Sequence, residues 1–370
     1  MIIGVLKEPS PETRVSLLPE HITALKKWNV AVAVETGAGI SAFANDDKYV
    51  AAGAKILKRE EVVSTADIIL SINEPQNLQP GSEKILLGIF QPLFNPSLMK
   101  DWAEKNLTVF SMDMLPRTTR AQTMDVLSSQ ANIAGYKAVL TAANLFPKYF
   151  PMFITAAGSI PPAKLLILGA GVAGLQAIAT ARRLGAVVEV FDTRPAVKEE
   201  VMSLGAKFVE VEGAADASKA GGYAVEQTDA FLQRQKAKIT ESVSKADIVI
   251  TTAQIPGKKA PVLITQEMMY LMKHGSVIID LAAATGGNTD HTQNNTTISY
   301  NGITIVGNSY LSSTMPSDAS KLYGKNILNF LQLIIDKEGN LNLNFEDDLV
   351  KGTCVVHNGS ITNEKVQALI

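Results

Sequence analysis

Residues 163–174, with the sequence AKLLILGAGVAG, form the stretch that decides the fold. The apolar run predicts a buried strand, and the GxGxxG pattern after it predicts a tight turn that leads into a helix. In such a turn the first glycine permits the change of direction, the second lets backbone amides approach a pyrophosphate, and the third lets helix and strand pack closely. The helix N-terminus also favours an anion. We therefore predict a dinucleotide site that contains Gly169, Ala170, Gly171, Val172 and Gly174.

The next predicted strand, 187–191, is followed by an acid at the spacing that such a site requires. Asp192 lies 23 positions after Gly169, where a carboxylate binds both hydroxyls of an adenosine ribose and repels a 2′-phosphate. We therefore predict NAD(H) rather than NADP(H), with Thr193 and Arg194 completing the site and Arg194 softening the preference. The alternative is a glycine-rich turn in a sheet that binds nothing, which leaves the register of strand, helix and acid unexplained.

Short apolar runs alternate with amphipathic segments along the chain, which is typical of parallel α/β folds. The segment 125–146 contains no proline and predicts one long helix, and 316–335 predicts a second. Because 370 residues exceed what one hydrophobic core serves, we expect two Rossmann-like, doubly wound domains joined by these helices, with the cofactor in the cleft between them. The predicted division is a discontinuous N-terminal domain, 1–127 plus 309–370, and an NAD(H)-binding domain, 128–308.

The composition argues against several classes of function. The net charge is −2 and no long basic run occurs, so we expect no nucleic-acid partner. The single cysteine, Cys354, excludes a disulfide framework within the chain, and we predict no metal site. The most apolar window, 154–181, is interrupted by prolines, a lysine and glycines, and the N-terminal apolar run is short. We therefore expect neither a membrane-spanning segment nor a signal peptide.

Several runs of the sequence resemble one protein family over almost the whole chain. They are Glu12–Val15, Arg117–Gln122, Gln130–Tyr136, Gly169–Gln176, Asp192–Pro195 and Ile255–Lys258. In these runs the chain is similar to the alanine dehydrogenase/transhydrogenase family, and most of all to the NAD(H)-binding alpha subunits of proton-translocating NAD(P) transhydrogenase. The resemblance implies a transhydrogenase that passes a hydride between two nicotinamides and is active only with partner subunits.

Alanine dehydrogenases share this architecture and provide the competing interpretation. The resemblance implies that they carry a lysine, a histidine and an aspartate, because they must bind an α-carboxylate and move a proton at nitrogen. The matching positions in this sequence hold Asn73, Gln91 and Ala284, and of the set only Arg14 remains. Amino-acid oxidation therefore lacks its acid–base groups.

The histidines offer no replacement for those groups. We expect all of them to be solvated at the surface, in helical or turn segments and in polar loops: His21, His274, His291 and His357. Hydride exchange between two nicotinamide rings needs aligned rings shielded from water and no proton relay. The missing acid–base groups therefore favour the transhydrogenase interpretation.

The resemblance also implies how the nicotinamide is held. A transhydrogenase loop that positions the dihydronicotinamide matches Arg117, Gln122 and Asp125, with Ser128 one turn further along the helix. Gln122 and Ser128 are suited to hydrogen-bond a carboxamide or ribose hydroxyls, and Asp125 is suited to hold Arg117. From the spacing alone, an ion pair between Arg117 and Asp125 at the start of the helix is the alternative explanation.

A segment of small residues, 212–227, interrupts the α/β alternation. The resemblance implies a mobile loop that closes over NAD(H), with Gly222 and Tyr223 at its tip. Gln235 and the backbone of Gln254 are expected to add contacts to the cofactor. A surface insertion without function is the alternative.

A single GxGxxG and the lack of a membrane helix leave NADP(H) binding and proton transport to other subunits. The resemblance implies a homodimer that docks on a membrane-embedded assembly, which carries the proton channel and an NADP(H)-binding domain. The chain would then be cytoplasmic and attached to the inner membrane through its partners. Two alternatives stay open: an amino-acid dehydrogenase of the alanine dehydrogenase type, and an NAD(H)-sensing module that signals through 212–227.

Overall fold

The computed structural model describes residues 1–76, 83–211, 213 and 228–370. The chain divides into two compact units, Met1–Gln130 with Ser312–Ile370 (unit 1) and Ala131–Leu311 (unit 2). Within the described ranges, no helix combines the length and the apolar character needed to cross a bilayer. Each unit is built on one large sheet of mainly parallel strands.

The bounds of the elements follow in chain order. The strands are β1 (Ile2–Val5), β2 (Ala31–Glu35), β3 (Lys55–Leu57), β4 (Ile68–Leu70), β5 (Ile85–Gly88), β6 (Thr108–Ser111), β7 (Phe153–Thr155), β8 (Gly158–Ile160), β9 (Lys164–Leu168), β10 (Val187–Phe191), β11 (Lys207–Phe208), β12 (Ile248–Thr251), β13 (Val277–Asp280), β14 (Thr296–Tyr300), β15 (Ile303–Gly307), β16 (Cys354–His357) and β17 (Ser360–Ile361). The α-helices are α1 (Pro19–Lys26), α2 (Asp46–Ala52), α3 (Arg59–Thr65), α4 (Pro96–Glu104), α5 (Val126–Leu145), α6 (Val172–Arg183), α7 (Lys198–Ser203), α8 (Asp229–Lys245), α9 (Gln266–Tyr270), α10 (Pro316–Ile334), α11 (Asp348–Thr353) and α12 (Glu364–Gln367). Short 3-10 turns occupy Ile40–Ala42, Met112–Met114, Thr119–Met124, Pro195–Val197, Ala283–Thr285 and Ser312–Thr314.

In unit 1 the sheet has the strand order β3-β2-β1-β4-β5-β6-β16-β17. The first six strands are parallel, and β16 and β17 extend one edge in antiparallel fashion. Successive side chains of a strand point to opposite faces, so Ile68 and Leu70 of β4 join one hydrophobic cluster while Ile69 joins another. Apolar cores on both faces are what a doubly wound sheet requires.

In unit 2 the order is β11-β10-β9-β12-β13-β15-β14, and β14 pairs antiparallel with β15. The same alternation operates in β9, where Leu165 and Ile167 face one core and Leu166 faces the other. The order reverses between β9 and β12, which makes the carboxyl ends of these two strands the topological switch point of the sheet. The predicted α/β class with doubly wound, mainly parallel sheets is confirmed.

Some elements differ from the prediction. The helices predicted at 125–146 and 316–335 are α5 and α10, but the strand predicted at 207–211 ends at Phe208 and the helix predicted at 195–204 begins as a 3-10 turn. The hairpin of β7 and β8 was not predicted, because every residue from 151 to 161 is exposed and the pair lacks a buried apolar face.

Candidate dinucleotide site

The glycine turn of unit 2 connects β9 to α6 as the sequence predicts. Gly169 has φ of 108°, a left-handed conformation that favours glycine, and a Cβ at this position would overlap Thr252 Oγ1. A Cβ on Gly174 would overlap the carbonyl oxygen of Gly169, so the close packing of helix on strand requires glycine there too. At Gly171, in contrast, an added Cβ would meet no atom within 4 Å. The fold therefore explains two of the three glycines, and the third borders open space.

Asp192 is oriented toward this turn. Its Oδ2 accepts a hydrogen bond of 2.7 Å from the backbone N–H of Ala170, and its Oδ1 accepts one of 2.8 Å from the N–H of Arg194. The Arg194 side chain adds Nε–Oδ1 at 2.9 Å and Nη2–Oδ2 at 2.7 Å, and this pairing raises the pKa of the guanidinium. Thr193 is half-buried between the two charged residues in the chain. The carboxylate, the turn and the guanidinium thus form one group at the carboxyl edge of the sheet.

The residues present fit a dinucleotide. α6 begins directly after Gly171, its N-terminus has no side-chain cap, and its first turn carries no acidic residue, so its backbone donors suit a pyrophosphate. The open space beside Gly171 is the position at which a phosphate approaches the backbone in this motif. Asp192 lies after the neighbouring strand β10, as a ribose-binding acid does.

The chain after β12 forms the other side of the switch point. Thr252 donates its hydroxyl to the carbonyl oxygens of Leu168 and Gly169, at 3.3 and 3.1 Å, and so ties β12 to the glycine turn. Gln254 is exposed, and its Nε2 donates to the carbonyl of Leu281 at 3.1 Å. Its side chain is therefore engaged with the protein, and the backbone contact predicted for Gln254 stays a prediction.

Two further predicted positions differ in what the structure says of them. Gln235 lies in α8 with only 7% of its surface exposed, and its Oε1 accepts no hydrogen bond in the part of the chain that the structure describes. Gly222 and Tyr223 lie outside the described residues, as does the predicted 212–227 loop apart from Gly213.

The four residues predicted to position the nicotinamide lie in unit 1 around the start of α5. Asp125 accepts hydrogen bonds from the backbone N–H of Ser128 at 2.9 Å and from its hydroxyl at 2.6 Å, and so caps the helix. Arg117 and Gln122 are exposed on the segment before it. The structure therefore brings Asp125 and Ser128 together.

Anchors that the sequence did not reveal hold this segment on later parts of the chain. The carbonyl of Thr123 accepts hydrogen bonds of 2.8 Å from the amide groups of both Asn326 and Asn329 on α10. Arg120 makes two bonds of 2.6 Å to Asp347, immediately before α11. Because these partners lie about 200 positions away in sequence, no local pattern could identify them.

A buried polar cluster, which the sequence also did not reveal, fills the carboxyl edge of the unit 1 sheet. Glu12 accepts bonds from Arg14 Nε at 2.8 Å and Nη2 at 2.6 Å, and Arg14 Nη1 donates to Gln130 at 2.8 Å. Glu8 accepts bonds from the backbone of Ile72 at 2.6 Å and from the backbone and side chain of Asn73 at 3.1 Å. We call this set the Glu8–Arg14 cluster.

Burial and pairing act in opposite directions within the Glu8–Arg14 cluster. Burial raises the pKa of Glu8 to about 7, against the effect of the amides that donate to it. Burial acts in the same direction on Glu12, but its hydrogen bonds and charge pairing with Arg14 hold the pKa of that carboxyl below its usual value. The guanidinium of Arg14 is therefore already paired within the protein.

The positions that match the catalytic set of an amino-acid dehydrogenase carry no acid or base. Asn73 is bound to Glu8, Gln91 is exposed at the end of β5 with φ of 49°, and Ala284 is exposed in the 3-10 turn after β13. Among the described residues, no group of histidine, cysteine, aspartate or glutamate could hold a metal ion.

The expectation that all four histidines are surface residues is wrong. His21 is buried because α1 packs on α10, where Gly324 leaves room for the imidazole; its Nδ1 accepts the N–H of Leu18 at 2.9 Å, and burial lowers its pKa. His357 lies in β16 beside Thr108, and His291 stacks on Tyr300 with ring centres 3.8 Å apart. His274 alone is exposed as predicted.

Two family descriptions match the chain in succession. "Alanine dehydrogenase/PNT, N-terminal domain" matches residues 4–134, and "Alanine dehydrogenase/PNT, C-terminal domain" matches residues 138–364. Among individual proteins, a chain of NAD(P) transhydrogenase subunit alpha from Rhodospirillum rubrum is 44% identical over 376 aligned residues, which cover 98% of each chain. The NAD(P) transhydrogenase subunit alpha of Haemophilus influenzae is 44% identical over 365 residues, which cover 97% of this chain and 71% of the other.

Solved structures agree with these matches. A transhydrogenase from Sinorhizobium meliloti superposes with a TM-score of 0.89 at 43% identity, covering 98% of this chain and all of the other. An L-alanine dehydrogenase superposes with a TM-score of 0.81 at 22% identity, covering 100% of this chain and 99% of the other. The second likeness supports the fold alone.

Proposed function

The chain belongs to the alanine dehydrogenase/PNT family, on its NAD(P) transhydrogenase alpha-subunit branch, and from this premise we propose that it binds NADH and presents it to NADP⁺ on a partner subunit. One observation supports the proposal above all. The turn after β9 leaves the space at Gly171 open while Asp192 is held beside Ala170, which suits a pyrophosphate next to an adenosine ribose.

The residues of unit 2 would bind the adenosine half. The backbone amides at the start of α6 donate to the pyrophosphate, and the Asp192 carboxylate accepts from the ribose hydroxyls. The same carboxylate disfavours a 2′-phosphate by charge, which supports NAD(H) on this chain and NADP(H) on the partner. Arg194 holds the carboxylate in place and offsets part of that repulsion.

The nicotinamide half would be oriented by the unit 1 segment. We propose that Gln122 and Ser128 hydrogen-bond its carboxamide and ribose hydroxyls, that Asp125 holds Ser128, and that Arg117 adds a donor. Gln235 supports the same binding, because its buried Oε1 accepts no hydrogen bond within the described residues. The bound cofactor supplies the hydride, so the protein needs to align the ring and exclude water.

The Glu8–Arg14 cluster supports transhydrogenation over amino-acid oxidation. A dehydrogenase needs a free cation for the substrate carboxylate and a group that exchanges protons with the nitrogen. Here each of the three guanidinium nitrogens of Arg14 donates to Glu12 or Gln130, and Asn73 donates to Glu8. This edge of the sheet is occupied by the protein's own ion pair.

We further propose that the chain acts as a homodimer on a membrane-embedded partner assembly, with proton translocation carried by the partners and the chain on the cytoplasmic side. The β7–β8 hairpin supports the dimer, since two strands alone are marginal in water and its Ile154 is 71% exposed. A second copy of the chain would cover this surface. An Ile154→Asp variant should be monomeric in light scattering at concentrations where the wild type and a Thr155→Asp control are dimeric; three identical masses would refute this interface.

The function is tested by mixing the protein with a purified NADP(H)-binding partner domain and following transfer from NADH to NADP⁺. We expect transfer that depends on both proteins, and no oxidation of NADH by pyruvate and ammonium. Folded protein that binds NADH but gives no transfer would refute the transhydrogenase function. Steady oxidation with pyruvate and ammonium would instead establish an alanine dehydrogenase activity.

A further inference from the structure

We propose that Asn288 is a positioning residue that fixes the 253–263 loop for the nicotinamide half of NADH. The inference deepens the proposed function and depends on it. Ligands of doubly wound sheets bind where the strand order reverses, outside the carboxyl ends of the strands, which here are β9 and β12. The turn after β9 suits the pyrophosphate. The loop after β12 therefore borders the remaining, nicotinamide-bearing part of the crevice.

Asn288 is fully buried and uses every polar group that it has. Its Oδ1 accepts the N–H of Ala253 at 3.0 Å, and its Nδ2 donates to the carbonyls of Ala253 at 2.9 Å and Pro261 at 2.8 Å. Its own carbonyl accepts the N–H groups of Leu263 at 2.8 Å and Ile264 at 3.0 Å. One side chain and one carbonyl thus join both ends of the 253–263 loop.

Asn288 is itself held by a buried acid at the end of β13. Asp280 is fully buried; its Oδ2 accepts the backbone N–H of Asn288 at 2.6 Å and the Thr292 hydroxyl at 2.5 Å, and its Oδ1 accepts the N–H of Ala282 at 2.9 Å. The chain from β13 to Thr292 therefore forms a rigid support, and the loop after β12 is pinned to it. A loop held in this way keeps its backbone groups in place before a ligand arrives, which lowers the entropy lost on binding.

The amide of Asn288 does what an isosteric carboxylate cannot. In Asn288→Asp the Nδ2 becomes an oxygen that faces the carbonyls of Ala253 and Pro261, so two donor bonds are replaced by repulsion. The bond to the Ala253 N–H, which an oxygen accepts, is retained. The change therefore loosens the 253–263 loop and leaves the glycine turn and Asp192 untouched.

The test compares NADH with ADP, which lacks the nicotinamide half. For Asn288→Asp we expect NADH affinity to fall at least about 10-fold while ADP affinity stays within about twofold. The matched control is Asn308→Asp in the same unit, where Oδ1 accepts the N–H of Tyr310 and the carboxylate preserves that bond. It should leave both affinities unchanged. Equal losses for NADH and ADP in folded Asn288→Asp, or no loss, would overturn the inference.

A second measurement uses the wild-type protein, so the inference remains testable if Asn288→Asp does not fold. NADH should slow amide hydrogen exchange across residues 253–263, and ADP should not. Exchange there that is the same with NADH as with ADP would refute the role of the loop. If the wild type binds NADH but does not transfer hydride, the proposed function fails and the inference stands; if it does not bind NADH, both fail.

Discussion

The two sheets of the molecule share a strand order but differ at their carboxyl edges. Both run from the third strand of the unit back to the first and then forward through the fourth, fifth and sixth, with antiparallel strands added last. After β9 the chain turns at once into α6, with open space beside Gly171. After β1, no helix begins until Pro19, and the edge is filled by the Glu8–Arg14 cluster.

The difference teaches that this topology permits an anion site and does not by itself provide one. In unit 1 the backbone amides of Ile72 and Asn73 donate to the carboxylate of Glu8, so donors at that edge already have an anionic partner from the protein. In unit 2 the amides at the start of α6 have no side-chain cap. Function therefore follows the side chains at the edge rather than the fold.

The largest effect is expected from filling the open space at Gly171. Gly171→Val should abolish NADH binding, because the side chain occupies the position of the pyrophosphate, while the Tm stays within about 2 °C of the wild type. Gly174→Ala is the control for a structural glycine, and it should lower the Tm because its Cβ overlaps the Gly169 carbonyl. Calorimetry and NADH fluorescence measure both. Folded Gly171→Val with normal NADH affinity would remove the distinction between the edges.

The next effect concerns the stability of unit 1. Glu12→Gln leaves the buried guanidinium of Arg14 without its charge partner and should lower the free energy of unfolding by about 3 kcal/mol. NADH affinity of the folded variant should change less than twofold, because the cluster is structural. Asp348→Asn, at an exposed ion pair with Arg120, should leave the unfolding midpoint in urea unchanged. A large loss of NADH affinity in Glu12→Gln would mean that the unit 1 edge binds cofactor.

A smaller effect is expected at Asp192. Asp192→Asn should weaken NADH binding about 30-fold and narrow the preference for NADH over NADPH, because the repulsion of a 2′-phosphate is lost. Glu189→Gln on the same strand, where the carboxylate pairs with Lys207, provides the matched control and should bind NADH normally. An unchanged NADH to NADPH ratio in Asp192→Asn would contradict the ribose assignment.

The smallest effect is the pH dependence that Glu8 adds to unit 1. Burial raises its pKa from 4.5 to about 7, so the folded state binds this proton more tightly than the unfolded state. Its contribution to stability is therefore present below pH 4.5 and is lost as the pH rises through about 7, a loss of about 2 kcal/mol between pH 5 and 7. Urea unfolding across this range should show the slope in the wild type and not in Glu8→Gln. Equal slopes would assign the titration to another group.

What the sequence could predict is what depends on neighbours in the chain. The turn after β9, the register of Asp192 and the long helices follow from local spacing and apolar periodicity, and the α/β class follows from their alternation. The Glu8–Arg14 cluster, the anchors of Thr123 and the bonds of Asn288 join residues far apart in sequence. His21 was mistaken for a surface residue because its burial depends on Gly324 of α10.

The measurement that tests the central claim most directly is a calorimetric count of NADH bound per chain. If only the edge of unit 2 is a nucleotide site, the wild type binds one NADH per chain and folded Gly171→Val binds none. Two NADH per chain, or one that persists in Gly171→Val, would contradict the account.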